Sequence, residues 1–317
     1  MDVSAIVSEF GAYYIKGGQN ETRLIKKLYE KSMTEQAFTT VVTDETKWRG
    51  SEAVISRLLQ PFQKAWTPTG AATFTPIEID AFKLKMDFED YPDDLEATWL
   101  GFLADQNLDR KEWPFIRWLV EQHIIPKMQE DYELNEIFAG VYAAPTPGTA
   151  GAAGTAMNGI KAIRNAHITA GRITPITSGA LATDPLDFVD QIEEFVDSIN
   201  TKYWNAPMEL NVAQQLERRY LRGYERKYGR NLDYKGTGTK VEGTNITLVG
   251  RASQNGSDIM WATPKSNAVR LVKKSANMNQ VRIENVDRKV KLYTDFWSGI
   301  GFLIPEIVFT NDLELPV

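Results

Sequence analysis

The segment DRKEWPFIRWLVEQHIIPKMQEDYELNEIFAG, residues 109–140, constrains this chain more than any other. Ile116, Val120, Ile124 and Met128 recur at every fourth position, and Leu119, Ile125, Tyr132, Ile137 and Phe138 widen the same stripe. That period buries one broad face of an α-helix. Asp109 and Glu112 have capping-box spacing, and Gly140 supplies a stop. At 1.5 Å rise per residue the predicted helix is about 45 Å long, more than an average globular helix. Pro126 lacks a backbone donor and crowds the turn before it, so a bend is expected near Gln122. The rest of the chain reads as strands and loops arranged around this helix.

With 317 residues, the chain exceeds one simple core and reads as two packed units or one domain with large excursions. Its net charge of -6 disfavours a grip on nucleic acid over the whole surface. The absence of cysteine excludes disulfides, thiolate nucleophiles and thiolate zinc sites. No apolar run reaches the ~20 residues that span a bilayer. The opening MDVSAIVSEFGAYY has neither the basic start nor the long apolar core of a secretion signal. A soluble chain made in a cytoplasm is expected, with no membrane partner.

Taken in order, residues 1 to about 20 read as an extended arm, because GAYYIKGGQN is rich in glycine. Asn20 can cap a short helix running to about Ser32, and AFTTVVTD reads as a strand. WRGSEAVISRLLQPFQKAW reads as a short helix closed by Pro61. A turn at Thr67–Gly70 is followed by alternation through Ile77, Ile79, Phe82, Leu84, Met86 and Phe88, with a one-residue slip at Ala81 that suggests a bulge. The expectation is a two-stranded projection from Lys64 to Glu89 with its tip near Thr67–Phe74. DDLEATWLGFLAD leads as a short helix into the long one, and YAAPTPGTAGAAGTAMNG leaves it as a connector. NGIKAIRNAHITAG is open between helix and hairpin. DPLDFVDQIEEFVDSINTKYW is a helix with Leu186, Val189, Ile192, Phe195, Val196 and Ile199 on one face, and NAPMELNVAQQLERRYLRGYERKYG reads as strand, turn and helix. Short strands in VEGTNITLVGRAS, SDIMWATP and AVRLVKK precede two or three long ones in VRIENVDRKVKLYTDFWSGIGFLIPEIVFTN.

No catalytic, cofactor or metal constellation emerges. The two histidines, His123 and His167, lack convergent ligands, and His123 on or beside the apolar face reads as a core or interface residue. Asp93 and Asp94 are adjacent, which suits a helix N-terminus better than paired acid–base chemistry. There is no nucleophile elbow and no phosphate loop, and the GTG within 235–240 lacks the strand–helix unit of a dinucleotide site. Arg218, Arg219, Arg222, Arg226, Lys227 and Arg230 share a helix with Tyr220, Tyr224 and Tyr228. Basic residues interleaved with aromatics suit single-stranded nucleic acid. The same residues suit tyrosines packed inward with Arg222 and Arg226 on a solvated face or at an intersubunit contact. Trp66 and Phe74, near the tip of the projection, read as anchors on a neighbouring subunit, the alternative being a projection folded back on its own body.

The order of parts resembles the major capsid protein of tailed bacteriophages, the Hong Kong 97-type family. ATFTPIEIDAFKLKMDFEDYPDD is similar to the second strand of that family's extended loop and its run into the peripheral domain. EIFAG is similar to the end of its spine helix, and RIENVDRKVKLYTDFWSGIGFLIPEIVF to its closing peripheral strands. The resemblance implies an α+β Hong Kong 97-like capsid fold with a long spine helix, an extended β-hairpin loop, and peripheral and axial domains. It implies an N-terminal arm and short helix over 1–50, the extended loop region over 51–98, the peripheral domain over 99–157 and 276–317, and the axial domain over 158–275. The implied function is self-assembly into pentamers and hexamers of an icosahedral virion shell enclosing double-stranded DNA without reading its sequence. Implied partners are other copies of the chain, a scaffolding protein, a portal and decoration proteins.

Two departures from the family qualify this picture. The chain opens almost at the arm, so a scaffold is expected to be a separate protein. One member crosslinks through a lysine on the extended loop. Here Lys64 sits at the loop's base and no lysine occurs from Ala65 to Phe82, so crosslinking is not expected. Two rivals stay open: an encapsulin-like compartment of the same fold, and a nucleic-acid-binding protein that uses the Arg218–Arg230 helix.

Overall fold

The computed structural model describes residues 2–10, 12–13, 24, 27, 32–229, 239–274 and 281–315. The helices are α1 (Val3–Phe10), α2 (Pro92–Asp105), the long α3 (115–136), α4 (Ile160–Thr169), α5 (Pro185–Asp197) and α6 (Gln214–Tyr228). The strands are β1 (Thr39–Val42), β2 (Lys47–Ile55), β3 (Ala72–Asp80), β4 (Phe82–Asp90), β5 (Met208–Ala213), β6 (Ile246–Arg251), β7 (Trp261–Pro264), β8 (Ala268–Val272), β9 (Arg282–Val286), β10 (Lys289–Phe302) and β11 (Phe309–Thr310). The architecture is α+β, as expected.

The long helix exists, with a different start. Asp109 does not cap it. Its carboxylate accepts from Lys111 N at 2.9 Å, and its carbonyl accepts from Glu112 N and Trp113 N. A turn therefore forms, and the helix begins after Pro114, whose missing N–H suits a helix start. Residues 115–136 span about 33 Å. Pro126 leaves its mark as a π-helical stretch, Leu119–Ile124, directly ahead of it. The wider turn there answers the crowding that the proline ring creates. At the far end, a Cβ on Gly140 would lie 2.4 Å from Glu136 O and 2.7 Å from Met157 O, so only glycine lets the chain turn back here. The connector that follows is tightly turned, with the Glu136 carboxylate accepting from Gly154 N and Ala156 N.

Around α3 lies a five-stranded sheet in the order β1-β8-β10-β4, with β9 also on β10. β10 is one long strand that joins two regions. Residues 290–298 pair with β4, and 299–302 pair with β8. Of the long closing strands expected, β10 is long, while β9 and β11 are short. The first residues do not form the expected extended arm. Asp2 accepts from Ser4 N at 3.0 Å, and Val3, Ile6 and Phe10 form a buried stripe in one core with Trp99, Leu103, Phe115 and Leu292. Spacings of three and four residues gave that stripe, and the glycines after it obscured the pattern. The short helix expected from Asn20 lies largely outside the described residues.

The region read as a projection differs in its first strand. Residues 48–55, the first part of the stretch expected as a helix, belong to β2, which pairs antiparallel with β3 from Lys47↔Asp80 to Ile55↔Ala72. A nine-residue partner decides the conformation, because local propensity in KWRGSEAVI is ambiguous. β4 belongs to the body, against β10. Ala81 is therefore no bulge within one strand. It is the point where the chain leaves the hairpin for the main sheet.

The second region is a four-stranded sheet in the order β11-β7-β5-β6, with α5 and α6 on one face. Asp184 caps α5 by accepting from Leu186 N, and Val189, Ile192, Phe195 and Val196 point inward as the periodicity predicts, with Phe188 buried beside them. Leu186, counted on the same face, is instead exposed. β5 runs straight into α6 with no intervening turn. Residues 160–169, open between helix and hairpin, are helical, and the buried Arg164 of α4 binds Thr310 Oγ1 at 2.8 Å and Asn311 O at 2.6 Å. α5 and α6 touch where Gly223 passes the Pro185 carbonyl, and a Cβ at 223 would sit 1.9 Å from that oxygen. Gly223→Ala is expected to destabilise the fold by about 1–3 kcal/mol, visible as a lower denaturation midpoint with an unchanged m-value. An unchanged midpoint would show that the helices separate freely.

Candidate intersubunit surfaces

The hairpin β2–β3 ends in a loop over 56–71 whose chemistry is inverted. Its polar groups bond to one another: Ala71 N donates to Ser56 Oγ at 2.8 Å, Gln60 Nε2 to Thr67 O at 2.6 Å, and Thr69 Oγ1 to Arg57 O at 3.2 Å. Its large apolar groups face outward. Trp66 is 92% exposed, Phe62 93%, Leu59 85% and Leu58 64%, while Phe74 on β3 is 68% exposed. Water rejects such a cluster, and nothing among the described residues of the same chain covers it. The structure thus brings Trp66 and Phe74 to one end of the arm. It adds Leu58, Leu59 and Phe62, which the expected helix over this stretch concealed.

The arm does not fold back, so its tip and its base lie at opposite ends of a hairpin about 30 Å long. At the base, beside β4, a groove of about 720 Å³ opens between that strand and α3. Met86, Phe88, Trp118, Ile124 and Met128 line it. His123 stands at this groove, exposed, with its ring edge-on to Trp118 at 4.5 Å, so of the two expectations, core or interface, the core position does not hold.

Arg222 and Arg226 lie elsewhere, on the outer face of α6, both exposed. The tyrosines of that helix turn the other way. Tyr220 is fully buried, Tyr224 donates to Glu242 at 2.7 Å, and Tyr228 donates to Glu193 at 2.9 Å. The bond to Glu242 pushes the Tyr224 hydroxyl up to about 12, so it remains a donor. These rings stack on one another, 6.0 and 4.8 Å between centroids, and offer no platform for bases. Arg230 lies outside the described residues. Among the described residues no three His, Asp or Glu side chains are grouped as a metal would require.

A buried polar junction joins the layers, and sequence reasoning did not find it. Glu35, 2% exposed, pairs with Arg270 at 3.0 Å and accepts from Tyr132 of α3 at 2.9 Å. Next to it Thr34 N donates to Glu133 at 3.2 Å, and Thr34 Oγ1 lies 2.6 Å from Ser253 Oγ. Burial raises the Glu35 carboxyl above its ordinary range, an effect that Arg270 opposes. Burial also holds the Tyr132 hydroxyl well above its usual value, so it stays protonated and donates.

No family model matches the chain, and no curated protein matches its sequence. Solved structures do. A chain of the satellite phage P4 procapsid, which includes the size determination protein, aligns over 92% of this chain and 90% of its own, with a TM-score of 0.59 and 11% identity. A chain from the capsid of an empty GTA particle aligns over 88% and 89%, with a TM-score of 0.53 and 11% identity. A chain of the holo-SrpI encapsulin complex from Synechococcus elongatus aligns over 90% and 89%, with a TM-score of 0.50 and 11% identity. The chain has the Hong Kong 97-type shell fold.

Proposed function

We propose that this chain is the major capsid protein of a tailed bacteriophage, assembling as pentamers and hexamers into an icosahedral head around double-stranded DNA. The observation that carries the reading is an exposed apolar tip on an arm that projects from a shell-type fold. A tip of this kind requires a partner, and in a closed assembly every subunit supplies one to its neighbour. The arm of one copy crosses the next, with Trp66 and Phe74 as anchors near the neighbour's α3 layer, where the groove beside Met86 and Met128 is apolar.

The division into an N-terminal segment over 1–50, a loop region over 51–98, a peripheral domain over 99–157 with 276–317, and an axial domain over 158–275 belongs to this proposal. So do a scaffolding protein, a portal and decoration proteins. Among the described residues no helix is long and apolar enough to cross a membrane.

The second reading is a compartment shell, favoured by the likeness to the encapsulin chain. Sedimentation of particles from a producing cell, followed by nuclease treatment, separates the two. Protected double-stranded DNA supports the capsid, and an enclosed protein cargo without DNA supports the compartment.

A further inference from the structure

α5 and α6 form a two-helix plate over the second sheet, fixed by the contact of Gly223 with Pro185. The plate's outer face carries two stripes of opposite sign. On α6, Arg218, Arg222 and Arg226 recur every fourth residue, all exposed and without an ion pair among the described residues. The other cations of this helix are used inward. Arg219 donates to Ala182 O at 2.8 Å and lies over the Phe188 ring, and Lys227 binds Glu193 at 2.8 Å and also Asp190. On α5, Asp187, Glu194 and Asp197 share the outer face, exposed and likewise unpaired among the described residues, with the exposed Leu186 beside them.

Like charges at helical spacing repel; Glu225, exposed three residues after Arg222, offsets part of the arginine stripe, and the rest of both stripes is left uncompensated in the free plate. A polyanion satisfies the arginines but meets the carboxylates on the same rigid plate. A surface that carries both stripes satisfies both. We propose that the α5–α6 plate is a contact between copies of this chain, with the arginine stripe of one copy facing the carboxylate stripe of the next. The inference rests on the shell-assembly reading. Exposed ion pairs add little affinity, but opposed like charges exclude wrong registers, so the stripes set which faces meet.

The test is charge reversal with rescue, read by sedimentation. R222E/R226E and, separately, D187K/E194K/D197K are each expected to lower the fraction in capsomer-sized or larger species by about tenfold at low salt, with partial recovery near about 1 M salt. Subunit melting should stay unchanged. An equimolar mixture of the two variants lets each reversed stripe meet its complement, and even-membered rings should return. A chain carrying both sets of changes should assemble as the original does. Reversed variants that assemble normally overturn the proposal, as do folded variants that neither the mixture nor the combined chain rescues. If the reversals spare assembly but abolish salt-dependent binding of a short DNA duplex, the arginines serve a polyanion and the contact is wrong. An unaltered chain that never oligomerises overturns the shell reading, and this contact with it.

Discussion

Trp66→Ser with Phe74→Ser is expected to give a folded subunit that no longer closes shells. Both side chains are exposed in the single chain, 92% and 68%, so removing them takes little from the core. In the assembly each contributes on the order of 2 kcal/mol when covered, and the pair therefore about 4 kcal/mol per contact. That corresponds to roughly a thousandfold in each contact's equilibrium constant, repeated at every subunit. Circular dichroism should be unchanged and the melting temperature should move by no more than about 2 °C. Electron microscopy should find capsomers or monomers in place of closed particles. Phe62→Ser, added to the pair, should deepen the loss, because it is exposed at the same tip. A double variant that melts early yet assembles once folded would mean that the two side chains serve the subunit's own stability and not the contact.

Arg270→Leu is expected to be the most destabilising single change in the body. It leaves the Glu35 carboxylate, 2% exposed, without the cation that lies 3.0 Å away. Removing one partner of a buried pair costs about 3–5 kcal/mol, because the remaining charge is stranded in a low dielectric. Arg270→Leu with Glu35→Gln should recover much of that loss, since the double variant buries no unpaired charge. The pH dependence has a definite sign. A carboxyl whose folded pKa is raised favours the protonated fold, so its contribution is full below the unfolded pKa and is lost as pH rises through the folded value. Without Arg270 the Glu35 carboxyl should rise further. The deficit of Arg270→Leu should therefore be largest at neutral pH and shrink as pH falls, measured by denaturant unfolding across that range. A pH-independent deficit would place the cost in lost packing.

Much of the frame was legible because apolar periodicity is local. The stripe from Ile116 to Phe138, the inward face of α5 and the stop at Gly140 all follow from spacing and capping. β2 was not legible, since its conformation depends on β3, reached only through the tip loop. The hairpin's extent was misjudged for the same reason. The alternation from Ile77 to Phe88 slips at Ala81, but a slip of one residue reads equally as a bulge within one strand and as the place where one sheet ends and another begins. Of the candidate contact residues, Trp66 and Phe74 stood out as aromatics near a turn, whereas Leu58, Leu59 and Phe62 were hidden in an apparent helix. The pairing of Glu35 with Arg270 joins residues far apart in sequence, and each alone reads as an ordinary surface charge.

Assembly around double-stranded DNA is the central claim, and electron microscopy of particles purified from a producing cell, combined with nuclease protection, tests it most directly. Closed icosahedral shells built from pentamers and hexamers, holding nuclease-resistant double-stranded DNA, are the predicted result. A chain that stays monomeric under all conditions, with or without a scaffolding protein, would contradict it.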